Sequence, residues 1–107
     1  MEFSRATVER AVRAVRLGAI APRALERMGR ESVSAAALAG EAGVAAGLTR
    51  SAMGETAVED ELMWLFRVGV VRREVDGQGI TDRFRLTPLG QRVLVELGNE
   101  TAPPGLG

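Results

Sequence analysis

The sequence predicts a mostly α-helical single domain with one two-stranded β-hairpin, and three observations lead there. Apolar residues recur at helical spacing over residues 4–17 and 56–68. Two alternating arms, "VVRREV" and "DRFRLT", flank the glycine turn "DGQG" at 76–79. Thr87 and Pro88 then open a further helical pattern, with the hydroxyl as cap and the proline at the first helical position. At 107 residues and 46% hydrophobic, the chain has enough apolar side chain for one modest core.

Each element has its own local reason. In "SRATVERAVRAVRL", Val8, Ala11, Val12 and Val15 form one stripe, and Gly18 is the expected stop. "APRALERMG" reads as a short second helix, with Pro22 near its start and Gly29 just past its end. Residues 31–33 read as a short strand. Ser34 is then placed as N-cap of a helix over 35–42, with Gly43 supplying a positive-φ turn and Val44 returning to the core. Residues 48–53 read as an extra helical turn closed by Gly54.

Thr56, with Glu59 three residues later, has the form of a capping box, and Glu59, Asp60 and Glu61 suit the positive end of a helix. Val58, Leu62, Leu65 and Phe66 are expected to be its buried face and Gly69 its end. In the hairpin, Val71, Val75, Phe84 and Leu86 are expected to point inward. The last helix runs to about Leu97 and stops at Gly98. This gives one domain over 1–98 and a mobile tail over 99–107.

Composition narrows the function. The chain has no cysteine, histidine or tyrosine, which removes thiolate chemistry, the commonest general base and metal ligand, and the phenolic acid. No motif proposes carboxylate catalysis, so the expectation is a protein that is not an enzyme and takes no cofactor or metal. No apolar run has the length to cross a bilayer and "MEFSRATVER" lacks the form of a signal peptide, so a soluble cytoplasmic protein is expected. All 14 basic residues are arginine. Residues 1–30 carry +4, residues 31–61 carry −5 and residues 62–107 carry +1. The net charge is zero, so any grip on nucleic acid has to be local.

The stretch "LFRVGVVRREVDGQGITDRFRLTPLGQRVL", residues 65–94, resembles the winged-helix branch of the helix-turn-helix superfamily. A helix ending in Gly-Val-Val, a turn, and "F-x-L-T-P-x-G" is how the wing looks in small bacterial regulators of the PadR, MarR and ArsR kinds. "LAGEAGV" is similar to the first half of their helix-turn-helix. The likeness spans about residues 21–97 and is most specific from Leu65 onward. It implies a transcriptional regulator that binds duplex DNA as a homodimer. A similar wing occurs in the dimerisation domains of small-molecule O-methyltransferases, which implies instead a dimeriser with no chemistry of its own.

Two sets of candidate residues follow. For DNA, the resemblance implies wing contacts by Arg72, Arg73, Arg83 and Arg85, and a reader at Thr49, Arg50 and Ser51. The alternative for the wing is that Arg72, Arg83 and Arg85 pair with Glu74, Asp76 and Asp82. The turn "TAVEDE" argues against groove entry by its own helix, because carboxylates are repelled by phosphates. For a protein partner, the face opposite Val58 and Leu62 carries Asp60, Met63, Trp64 and Arg67, and Met63 with Trp64, the chain's single tryptophan, is its anchor. Trp64 is expected either at an interface or covered by residues 45–55 or the first helix. Val8, Val12 and Val15, with Val93 and Leu97 on the last helix, are the expected surfaces of a two-fold dimer.

Overall fold

A computed structural model of the protein describes the backbone of residues 2–101, with side chains as far as Gly98. The elements are α1 (Arg5–Leu17), α2 (Pro22–Arg30), β1 (Val33–Ser34), α3 (Ala35–Leu38), α4 (Gly40–Ala45), α5 (Glu55–Val68), β2 (Val71–Asp76), β3 (Gly79–Leu86) and α6 (Pro88–Thr101). The chain is mostly helical, with one small antiparallel sheet in the order β1-β3-β2. Beyond the expected hairpin, β1 pairs with β3, setting Val33 opposite Phe84 and Ser34 opposite Arg83.

The core lies where the helices meet this sheet. Val8, Ala11, Val12 and Val15 of α1 are buried, as the stripe required, together with Leu25, Met28, Leu38, Leu62, Leu65, Phe84 and Val93. The Ser4 side chain caps α1 by accepting from the Thr7 N–H, and Ser34 caps α3 by accepting from Ala37. Gly69, at φ 97°, ends α5 in the left-handed region and turns the chain into β2. The Thr87 hydroxyl accepts from the Gly90 N–H and lies within hydrogen-bond reach of the Gly69 and Val70 carbonyls. One side chain thereby ties the end of α5, the start of the hairpin and the start of α6.

Several local expectations are corrected. α2 runs through Gly29 to Arg30, and the Glu31 N–H closes it by donating to the Arg27 carbonyl. The helix expected over 35–42 breaks at Ala39, and Gly40, at φ 72°, starts α4. Gly43 is indispensable for space and not for φ, since a Cβ there would lie 2.0 Å from the Leu38 carbonyl oxygen. Val44 is exposed; Leu48 takes the core position instead. Residues 48–53 form no helix. Their backbone is committed to distant partners, with Ala21 N–H donating to Leu48, Arg50 N–H to Ala19 and Gly40 N–H to Met53.

α5 begins at Glu55 on an uncapped Gly54, so Thr56 and Glu59 both fall inside the helix and form no capping box. Val68, not Phe66, completes its buried face: the two flank the Val58–Leu62–Leu65 line on opposite edges, and the packing covers only the Val68 edge. Val75 is exposed because the register shifts between Arg73 and Val75, leaving Val75 opposite Ile80 at the hairpin tip. α6 continues past Gly98 to Thr101. The rest of the expected tail lies outside the described residues.

Candidate functional site

The hairpin arginines are engaged within the fold. Arg83 donates from Nε to the Ser32 hydroxyl at 2.8 Å and from a terminal nitrogen to the Ser32 carbonyl at 3.0 Å. This contact follows from β1 pairing with β3, which sequence reading did not include. Arg85 lies opposite Arg72 across the hairpin and pairs with Glu74 at 3.2 Å. The Ser32 hydroxyl, then Arg85 and Arg72, hold the Glu74 carboxyl below its ordinary value, against an opposing desolvation. Arg73 turns inward, its guanidinium 5.5 Å from the Phe84 ring centre and 3.3 Å from the Met63 sulfur. Arg72 stays exposed. The expected set of four wing arginines for DNA is therefore reduced, because strand pairing and the neighbouring helix claim three of them, Arg73 on the Val71 face where strand alternation puts it.

The second expected reader is dispersed as well. Thr49 is buried and bridges to Ile20, its hydroxyl without a hydrogen-bond partner among the described residues. Arg50 donates to the Val15 and Gly18 carbonyls at the C-terminal end of α1, where unpaired carbonyls gather negative charge. Ser51 is exposed. The three side chains share no outward face. Arg50→Ala is expected to cost about 1 kcal/mol of stability by removing these partly exposed charged hydrogen bonds, measured by urea denaturation. An unchanged midpoint would return Arg50 to the free arginines.

What the fold does assemble lies on the other side of α5. Trp64 is 50% exposed and Leu17 78% exposed. With Arg10, Arg13, Ala14, Gly18 and Glu61 they line a shallow recess of about 260 Å³ between α1 and α5. α1 flanks Trp64 without closing over it, and residues 45–55 are not in this lining. A Glu61 carboxylate oxygen sits 3.4 Å from the Ala19 N–H, anchoring the floor. Sequence reading marks Arg10 and Arg13 as part of a solvated arginine face on the first helix but does not join Leu17 to them. The signal was present, since Leu17 falls on the side of α1 opposite Val15, where it shares a face with Arg10 and Arg13.

The expected valine surface is corrected. Val8, Val12 and Val15 on α1 and Val93 on α6 are buried within the chain itself, where α1 packs on α6, and Leu97 is partly buried against the same core. Met63 is separated from Trp64 by its contact with Arg73. A groove of about 450 Å³ also runs between α1 and α6, where Arg5 and Arg92 are held by Glu9 and Glu96 at 3.4 and 2.9 Å. Among the described residues no acidic cluster is arranged to hold a metal ion, and no helix is long and apolar enough to cross a membrane.

Comparison with curated proteins gives no match, and comparison with solved structures gives none. A family model described as Npun_F0494-like matches residues 1–106. The chain therefore belongs to the Npun_F0494-like family.

Proposed function

We propose that this protein is a winged helix-turn-helix domain that works as a non-enzymatic protein-interaction module. The order α2, β1, α3–α4, α5, hairpin, with β3 between β1 and β2, supports the winged-helix reading. In that arrangement α5 takes the place of the recognition helix. One observation carries the functional choice. The face α5 would turn to a groove bears exposed Glu59 and Asp60, while Arg50, Arg73, Arg83 and Arg85, which would have to offset them, are engaged internally. Carboxylates aimed at phosphate weaken binding, and arginines already hydrogen-bonded must first be released.

The DNA-binding regulator remains the second reading, favoured by one observation: Arg67 and Arg72, near the junction of α5 and the hairpin, are both exposed. Titration of a random duplex at low salt separates the two. The interaction-module reading expects no measurable binding. Affinity that falls steeply with salt would overturn it, more so if Arg83→Ala with Arg85→Ala flattened the slope, since each lost phosphate contact removes about one unit of it.

A further inference from the structure

We infer that the Trp64–Leu17 surface is a self-complementary interface whose partner is a second copy of this chain. This rests on the interaction-module reading and gives it a partner. The argument begins with exposure. Trp64 and Leu17 are large apolar side chains side by side on two different helices, around a recess that a protruding group can fill. Isolated exposed apolar residues are ordinary, and the hairpin-tip pair Val75 and Ile80 is an example with nothing to identify what covers it. The Trp64 surface differs because its banks are charged and of opposite sign.

On the α1 bank stand Arg10 and Arg13; on the α5 bank Asp60 stands one turn before Trp64 and Glu61 lines the recess, against a single Arg67 one turn after Trp64. Arg10, Arg13, Asp60 and Arg67 are exposed and none makes an ion pair among the described residues. By contrast, Arg5–Glu9 and Arg92–Glu96 each pair within their own helix. A two-fold axis through the Trp64–Leu17 strip exchanges the two banks. The basic edge of one copy then faces the acidic edge of the other, on both sides of the axis at once. A uniformly basic or acidic surface would be repelled by its own copy; this one is attracted. The protruding Trp64 and Leu17 of each copy fall over the partner's recess, giving the pattern of an aromatic anchor within a charged rim.

The single tryptophan makes the test direct. On dilution from about 100 μM, sedimentation is expected to show a dimer giving way to monomer, with Trp64 emission moving to longer wavelength as the ring becomes hydrated. Trp64→Ala should raise the dimer dissociation constant about 30-fold or more while leaving the thermal melt of the monomer nearly unchanged. The charge test is independent of the ring. Arg10→Glu with Arg13→Glu makes both banks acidic, and Asp60→Arg makes both basic. Each variant alone should fail to dimerise, and mixing the two should give a mixed dimer.

A chain that stays monomeric at 100 μM overturns the proposal. So does a dimer indifferent to Trp64→Ala, or charge variants that self-associate like the wild type. A monomer that also ignores DNA sinks this inference and leaves the interaction-module reading standing. A chain that binds DNA through the wing sinks that reading instead.

Discussion

Gly90→Ala is expected to destabilise the domain by about 3 kcal/mol, near the upper end for overpacking a filled core. A Cβ on Gly90 would lie 2.3 Å from the Val70 carbonyl oxygen and 2.4 Å from Leu86 Cδ1. Leu86 can turn aside, but the carbonyl cannot. It accepts from the Thr87 N–H and lies within reach of the Thr87 hydroxyl, inside the joint that holds α5, the hairpin and α6 together. The added methyl therefore forces α6 away from the start of β2. The melting temperature should fall by roughly 15 °C, as about 3 kcal/mol does in a domain of this size. The control is the same substitution in the same helix: nothing lies within 4 Å of a Cβ on Gly98. Gly98→Ala should stabilise the chain by about 0.5–1 kcal/mol, the helical cost of glycine. Similar melts for the two variants would mean that α6 does not press on Val70.

Phe84→Ala is expected to cost about 3–5 kcal/mol, the usual loss for truncating a core aromatic. Phe84 is 2% exposed on the central strand, with Val33 of β1 on one side and Arg73 of β2 on the other. Removing the ring opens a cavity between sheet and helices and takes away the face over which the Arg73 guanidinium lies. Phe66→Ala, at a ring 41% exposed, should cost less than about 1 kcal/mol. Urea denaturation of both variants measures the difference. Comparable losses would show that Phe66 is as much a part of the core as Phe84, as its place beside Leu65 first implied.

The contrast between these two rings shows how far the sequence is legible. Long amphipathic patterns carried through: the valine stripe of α1, the buried line Val58–Leu62–Leu65 and the alternation that turns Phe84 and Leu86 inward all reach the core. Such patterns are dictated by the geometry of a single element, whose own residues set the repeat. Phe66 sits at the edge of its stripe, where the angle of the neighbouring elements decides burial. The same applied to glycine. Gly69 had a local reason for its positive φ, whereas Gly43 is required by a carbonyl five residues away that the sequence does not display.

The candidate site divides in the same way. By itself the sequence determined a cysteine- and histidine-free domain, its long amphipathic helices and the hairpin, an acidic N-terminal half of α5, and a lone tryptophan on the outer side of that helix. Only the tertiary structure decided which charges are already occupied. Arg50 is drawn to the carbonyls ending α1, Arg83 to Ser32 through the pairing of β1 with β3, and Arg73 to Phe84 and Met63. It also decided that α1 and α6 bury their valines against each other, and that Leu17 joins Trp64 across two helices 47 residues apart in the chain. A guanidinium reaches several ångströms beyond its backbone and takes whichever acceptor the packing leaves near. Its partner is therefore a property of the fold, while the helix that carries it is a property of the sequence.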